Sequence, residues 1–276
     1  MTKIRVGDCT VEKITEQTAT LPLTALYPDH QLPPSAKNPL QSAELSIHSW
    51  LVRTPEQVIL IDTATGNGRQ RGNKPLFHQL NTAYYSRLLE SGISPDEVSL
   101  VIMTHIHTDH VGWNTHLVNG QWQPLFPSAR YICSATELEA CRTDPQQQEL
   151  FNDSLLPLIA SGQLDTVNVS ESPCFAGVLS YLPTPGHSID HASLILHSAG
   201  QSAIFTGDIM HHPVQFRFPD WNSVFCEDKP QAIHSRQKAL EWAVGNKALW
   251  FSSHFAGSSV GRVTRDSHQQ YHWQEV

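Results

Sequence analysis

"THIHTDHVGWNT", residues 104–115, places His105, His107, Asp109 and His110 within six positions. Such side chains gain little from an apolar core and bind metal ions well. The stretch follows a short apolar run, "LVIM" at 100–103, which reads as a buried strand. A strand puts residues i and i+2 on one side, so His105 and His107 at its end can reach one ion together. Asp109 and His110 follow in the turn. Four ligands on one short loop crowd a single tetrahedral ion, and two adjacent ions relieve the crowding.

Two ions need ligands from elsewhere in the chain. "LPTPGHS" (182–188) exposes His187 after a Pro-Gly turn. "FTGD" (205–208) ends a strand with Asp208, whose two oxygens can each meet a cation. "FSSHFAG" (251–257) ends another strand with His254. A lone His or Asp at a strand end is ordinarily a hydrogen-bonded loop residue. The dense HxHxDH cluster, followed in order by three more such strand ends, points instead to metal.

The bulk composition narrows the classes. A chain of 276 residues, 39% hydrophobic with seven Trp and ten Phe, can bury a large α/β core. Its formal charge is 18 − 26 = −8, which repels phosphate backbones, so no nucleic-acid partner is expected. The five cysteines (9, 133, 141, 174 and 226) form no CxxC pair and read as thiols in a reducing compartment. The start lacks an apolar secretory run, and no apolar run is long enough to span a bilayer. The expectation is a cytoplasmic protein with no membrane partner.

Periodicity predicts strands over 45–52 and 57–62 joined by the turn "RTPE", and a helix over 82–92 ending at Gly92. Ser94 caps the entry to the strand that ends at His105. A strand over 129–134 leads into a helix whose Ser134 and Glu137 form the pattern of a capping box. A helix over 144–162 is broken near Pro157, and strands cover 191–198 and 202–208. An amphipathic helix over 228–245 presents Ile233, Leu240 and Val244, and a last strand falls within 247–257. No composition break divides the chain, so 1–276 reads as a single domain. Its two halves echo each other as strands that stop at His- or Asp-bearing loops. That echo predicts two similar layers facing each other, with one site where the strand ends meet. Residues 18–43, with five prolines, read as an arm or lid.

"THIHTDH", "TPGHS", "FTGD" and "SSHFAG", in this order, resemble the motifs of the metallo-β-lactamase superfamily. The likeness runs from "ILIDTATGNG" to "SHFAG". It implies an α/β fold, an αββα sandwich of two mixed sheets flanked by helices. It implies two divalent metal ions, zinc foremost, with manganese, iron or cobalt as substitutes. The first ion would be held by His105, His107 and His187. The second would be held by Asp109, His110 and His254, with Asp208 bridging. Asp62, in "LIDT", would support the metal loop. A metal-bridging hydroxide would then attack a small ester, lactone or phosphotriester, which makes Asp109 and Asp208 the catalytic carboxylates.

Within the superfamily, the chain resembles the branch of quorum-quenching lactonases and methyl parathion hydrolase. "GDIMHHPVQFRFPD" (207–220) is similar to the latter. The lactonases carry a catalytic Tyr shortly after the bridging Asp. No Tyr lies between Asp208 and Asp220 here; His211 and His212 stand in that stretch. His211 is thus a candidate donor to a substrate oxygen. Trp113, Phe216 and Trp221 are candidate walls of a small-molecule pocket, and a homodimer is implied. The runner-up is a mononuclear iron oxygenase of persulfide dioxygenase type, which would leave Asp109, His110 and His254 without a task. A binding module with structural metal ranks third, because closed structural zinc sites favour Cys and these motifs contain none.

Overall fold

The computed structural model describes residues 3–30 and 42–276. One seven-stranded sheet runs β1 (Lys3–Val6), β2 (Cys9–Pro22), β3 (Ser42–Arg53), β4 (Val58–Ile61), β5 (Leu100–Ile102), β8 (Arg130–Ser134) and β9 (Leu164–Val167). A separate hairpin, β6 (Thr115–Val118) and β7 (Gln121–Pro124), branches off after β5. The second seven-stranded sheet follows chain order. It runs β10 (Cys174–Phe175), β11 (Leu179–Pro183), β12 (Ala192–Ser198), β13 (Gln201–Phe205), β14 (Leu249–Phe251), β15 (Val260–Arg265) and β16 (Tyr271–Glu275). Both sheets are mixed: β4, β5, β8 and β9 pair in parallel, as do β13 and β14, and the other neighbours are antiparallel.

The layering follows from the side-chain period of two. Ile59, Ile61 and Ile102 point into the core between the sheets, with Trp50, Leu194, Phe205 and Phe251. Leu60 and Val101 point the other way, to a core with Tyr84, Leu88 and Leu155. In the second sheet Ile204 and Trp250 likewise leave the central core for one shared with Ala239, Leu240 and Ala243. Central strands apolar on both faces require cover on both faces. The helix Tyr84–Glu90 and the segment around Leu155 cover one sheet, and the helix Lys229–Gly245 covers the other. This is the αββα sandwich.

Several local expectations are corrected. The Lys229–Gly245 helix buries Ala232, Ser235, Arg236, Ala239, Leu240 and Ala243, while Ile233 and Val244 are only half-buried. Small residues bring the helix close to the sheet, where Trp250 and Phe216 supply the bulk. The strand β14 is not the last; β15 and β16 extend the sheet beyond it. Their exposed polar faces hid them. The 144–162 stretch is a 3₁₀ turn (Pro145–Gln147), a turn of helix (Gln148–Leu150), a π segment (Phe151–Leu155) and a helix (Leu156–Ala160). The break precedes Pro157, whose ring cannot continue the ladder behind it. Residues 18–22 are not irregular: they end β2 and pair with residues 42–46 of β3. Leu23, Leu26 and Tyr27 then pack with Ala43, Leu45, Val214 and Trp221. The rest of the arm-or-lid expectation, residues 31–41, lies outside the described residues.

A register shift between Thr15 and Gln17 in β2 matters for the site. It turns Glu16 inward, where its carboxylate accepts from Thr65 N–H (2.7 Å), Gly66 N–H (3.1 Å) and Trp113 Nε1–H (2.6 Å). The loop after β4, which starts with Asp62 at φ +56°, is thereby tied down. All five cysteines are free, and only Cys174 is exposed. Among the described residues no helix is long and apolar enough to cross a membrane.

Candidate metal centre

The functional side chains sit at carboxyl ends of strands, where open α/β sheets leave a crevice. Asp62 follows β4, His105 to His110 follow β5, His187 follows β11, Asp208 follows β13 and His254 follows β14. The structure brings all seven expected ligands together. His107 Nδ1 lies 3.0 Å from His105 Nε2 and 3.0 Å from His187 Nε2. Asp208 Oδ2 lies 3.0 Å from His254 Nε2 and 3.3 Å from His187 Nε2, and Asp208 Oδ1 lies 3.2 Å from His110 Nε2. Asp109 reaches His110 Nε2 at 3.9 Å and His254 Nε2 at 3.8 Å. The donor atoms of His105, His107 and His187 form one group that could hold an ion, and those of Asp109, His110 and His254 form another.

His105, His110 and His254 commit their other nitrogen outward, while His187 Nδ1 is buried without a hydrogen-bond partner. Thr104 Oγ1–H donates to Asp62 Oδ2 (2.8 Å) and faces His105 Nδ1 (3.0 Å). His110 Nδ1–H donates to Asp62 Oδ2 (2.9 Å), and His254 Nδ1–H donates to the carbonyl of Ser46 (3.0 Å). Fixing one ring nitrogen this way aims the other at the site. Asp62 thus accepts from both Thr104 and His110 beside the cluster. The donor set fits a pair of cations. His110 Nε2 and Asp208 Oδ1 are buried without a hydrogen-bond partner, and two imidazole nitrogens each 3.0 Å from His107 Nδ1 suit ligands about a shared ion.

Charge divides the cluster. Burial drives His105 well below the usual imidazole pKa, helped by His110 and His107. Burial likewise lowers His187. Burial also opposes the charge on His110, yet the carboxylates of Asp208, Asp62 and Asp109 prevail and raise it well above the usual range. His254 is raised in the same contest, chiefly by Asp208. Asp208, despite its burial, is held well below the usual carboxylate range by His110, His254 and His187.

Three expected pocket walls are core instead. Trp113 is 6% exposed, stacks on Tyr84 at 5.1 Å and bonds Glu16. Phe216 packs among Trp250, Phe255 and Trp273. Trp221 is sandwiched with His30 and Phe218. Their bulk is used up by packing, so none walls the crevice. Trp113 does edge a depression of about 410 Å³, lined also by Asn67, Gln79 and His116, but no ligand candidate lines it. His211 does face the cluster: its Nε2 lies 3.4 Å from Asp208 Oδ2, and its ring stacks 5.3 Å from that of His254. The second His of the pair, His212, turns back to accept from Val214 N–H.

Two site-building residues were missed by sequence reasoning. His191 Nε2 accepts from Asp208 N–H (2.9 Å), while its Nδ1–H donates to the carbonyl of Thr184 (3.0 Å). Burial lowers its pKa to about 4, consistent with a neutral ring in this role. Its place four residues after His187 was a usable signal. Gly207, at φ +53°, must lack a side chain, since a Cβ there would lie 2.3 Å from His191 Nε2. Phe225, 44% exposed, lies 5.5 Å from the His211 ring and joins exposed Val224 as an apolar surface near the site; no motif marked it.

A two-sheet sandwich with a paired His/Asp cluster at its strand ends defines a class of metal-binding α/β protein. A profile of the metallo-beta-lactamase superfamily matches residues 43–274. The chain belongs to that superfamily. It is 26% identical over 245 residues to the N-acyl homoserine lactonase AiiA of Bacillus thuringiensis, covering 82% of this chain and 88% of the relative. It is 29% identical over 171 residues to the atrochrysone carboxyl ACP thioesterase of Aspergillus fumigatus, but the match spans 62% of this chain and only 42% of that protein. Two solved structures superpose closely: the hydrolase AbOPH (TM-score 0.82, 22% identity, 99% of this chain and 96% of that one) and the dizinc quorum-quenching lactonase AidC (TM-score 0.82, 19% identity, 100% and 97%). At these identities the superpositions establish the shared fold.

Proposed function

We propose that the protein is a dinuclear metal-dependent hydrolase that opens a lactone or cleaves an ester in a small molecule, with phosphotriesters as the neighbouring class. The observation that carries this is the convergence of two ligand triads on one buried carboxylate, Asp208. His105, His107 and His187 would hold one ion, and Asp109, His110 and His254 the other, zinc being the first choice. When bound, such a pair lowers the pKa of a held water toward neutrality and polarises a substrate oxygen. Asp208, with a side chain 4% exposed, is walled off from water and serves to join the triads. The Asp109 side chain, at 16% exposed, is the more open carboxylate and is placed to orient the attacking water and take its proton. The similarity to an N-acyl homoserine lactonase over most of its length supports the lactone reading.

His211 would donate to the substrate oxygen. Both its ring nitrogens are buried without a hydrogen-bond partner, while Gln215 Oε1 fixes its backbone N–H at 2.7 Å. An imidazole held this way is available to a ligand. His211→Ala is expected to lower kcat/KM about 10- to 100-fold with metal content unchanged; a loss of metal instead would make His211 a ligand. The reading extends to a cytoplasmic enzyme, on its free thiols, and to a homodimer with no nucleic-acid or membrane partner.

The test is acid release on a pH-stat across lactones of different chain length, aryl esters and a phosphotriester, with Asp208→Ala as blank and metal counted per chain. Turnover of one class by a protein holding two ions, lost in the variant, is the expected result. Silence toward every substrate, or one ion per chain, would sink it. The iron oxygenase gains nothing from the comparisons, and it gives the second triad no role.

A further inference from the structure

Glu137 was expected to close a capping box on its own helix, and it does not. Ser134 Oγ caps the Ala135–Thr143 helix alone, accepting from Thr136 N–H (3.0 Å) and Glu137 N–H (3.1 Å). The Glu137 side chain turns away and is 4% exposed. Its Oε1 accepts from Ser188 Oγ–H (2.6 Å) and Asp190 N–H (2.8 Å), and its Oε2 accepts from Ile106 N–H (3.2 Å).

Each partner neighbours a site residue. Ile106 lies between His105 and His107, Ser188 follows His187, and Asp190 precedes His191. Ser134 Oγ–H also reaches the Asp190 side chain, so the helix start grips the second loop twice. The first loop comes from one sheet and the second from the other. A buried carboxylate is costly unless bonded, and all three donors here lie on the loops that carry His105, His107 and His187, the first of which also carries Asp109 and His110. The second triad has its own ties, Asp62 to His110 and Ser46 to His254, and Glu137 touches neither.

We infer that Glu137 is a positioning residue that clasps the 105–107 and 187–190 loops together and so sets the hold of the His105, His107, His187 triad on its ion, without serving the other triad. This rests on the reading of the cluster as a two-metal site.

The experiment follows zinc release from the loaded full chain to a chromophoric chelator. Wild type is expected to release two ions in two phases. These are assigned with Asp109→Ala, which weakens the second triad, and His187→Ala, which weakens the first. Glu137→Gln exchanges one acceptor oxygen for an NH₂ that faces a donor. It is expected to speed release from the first triad about 10- to 100-fold and to leave the other phase within about threefold. Glu137→Asp keeps the charge but shortens the reach, and it is expected to show the same one-sided acceleration. The melting temperatures of the metal-free variants report whether they are folded. Unchanged phases in both variants, or both phases accelerated alike, overturn the inference. A wild type that holds no zinc overturns the two-metal reading with it, so the two failures are told apart.

Discussion

The two triads use similar side chains and differ in how they are held. The His105, His107, His187 group is all imidazole, and its nitrogens crowd to 3.0 Å about His107 Nδ1. Burial pushes the pKa of His105 and His187 well below the usual imidazole range. The Asp109, His110, His254 group is looser, with Asp109 3.8–3.9 Å from its partners, and three carboxylates bring charge to His110. The lesson is that the same residue type meets different electrostatics within one cluster: desolvation pushes His105 and His187 down, while nearby carboxylates push His110 and His254 up.

Asp208 touches members of both groups, so its loss should erase the difference between them. Asp208→Asn is expected to lower kcat/KM about a thousandfold, equivalent to about 4 kcal/mol, and to reduce bound metal, checked by steady-state kinetics and elemental analysis. Gly207→Ala attacks the same junction through the backbone. Its Cβ would meet His191 at 2.3 Å in a left-handed conformation, so a stability loss of about 1–3 kcal/mol is expected in calorimetry. An unchanged melting temperature would show that His191 is not fixed against Asp208.

Asp62→Asn touches the triads unequally, since Asp62 bonds His110 directly and His105 only through Thr104. It weakens the acceptor of His110 Nδ1–H, so zinc affinity of the second triad should fall about tenfold while the first changes less. Equal losses in competitive titration would contradict the partition. The smallest effect concerns Lys13, whose Nζ donates to Gly257 O (3.0 Å) and Ser259 Oγ (2.6 Å) just beyond His254. Burial lowers its pKa from 10.5 to about 8, partly offset by Glu275 and Glu44. Between those values the unfolded chain keeps a proton that the folded chain has released, so the Lys13 contribution to stability rises with pH across that window. Lys13→Met should flatten this rise in melting temperature, with a net change of about 1 kcal/mol. A slope equal to wild type would exclude Lys13 as its source.

Legibility followed chemistry and period. The seven candidate ligands were readable because few functions other than metal binding collect His and Asp so densely at strand ends. The central strands β4, β5, β13 and β14 were readable because apolar runs bounded by turns leave few alternatives. The strand β2 was not, since "CTVEKITEQTATLP" mixes polar and apolar residues around a register shift. Trp113, Phe216 and Trp221 misled for a different reason: an aromatic beside a motif in sequence packs wherever the sheets leave room.

By itself the sequence determined two facing layers with one site at their strand ends and a set of candidate metal-binding side chains, because side-chain period and residue type are local properties; the αββα order was implied by the superfamily resemblance. Only the tertiary structure decided which imidazoles are pushed down and which up in pKa, that His191 props up Asp208, and that Glu137 leaves its own helix to tie two loops together. Those outcomes depend on distances between residues far apart in the chain: 31 positions separate Ile106 from Glu137, and 53 separate Glu137 from Asp190. Burial then sets how strongly each such neighbour acts.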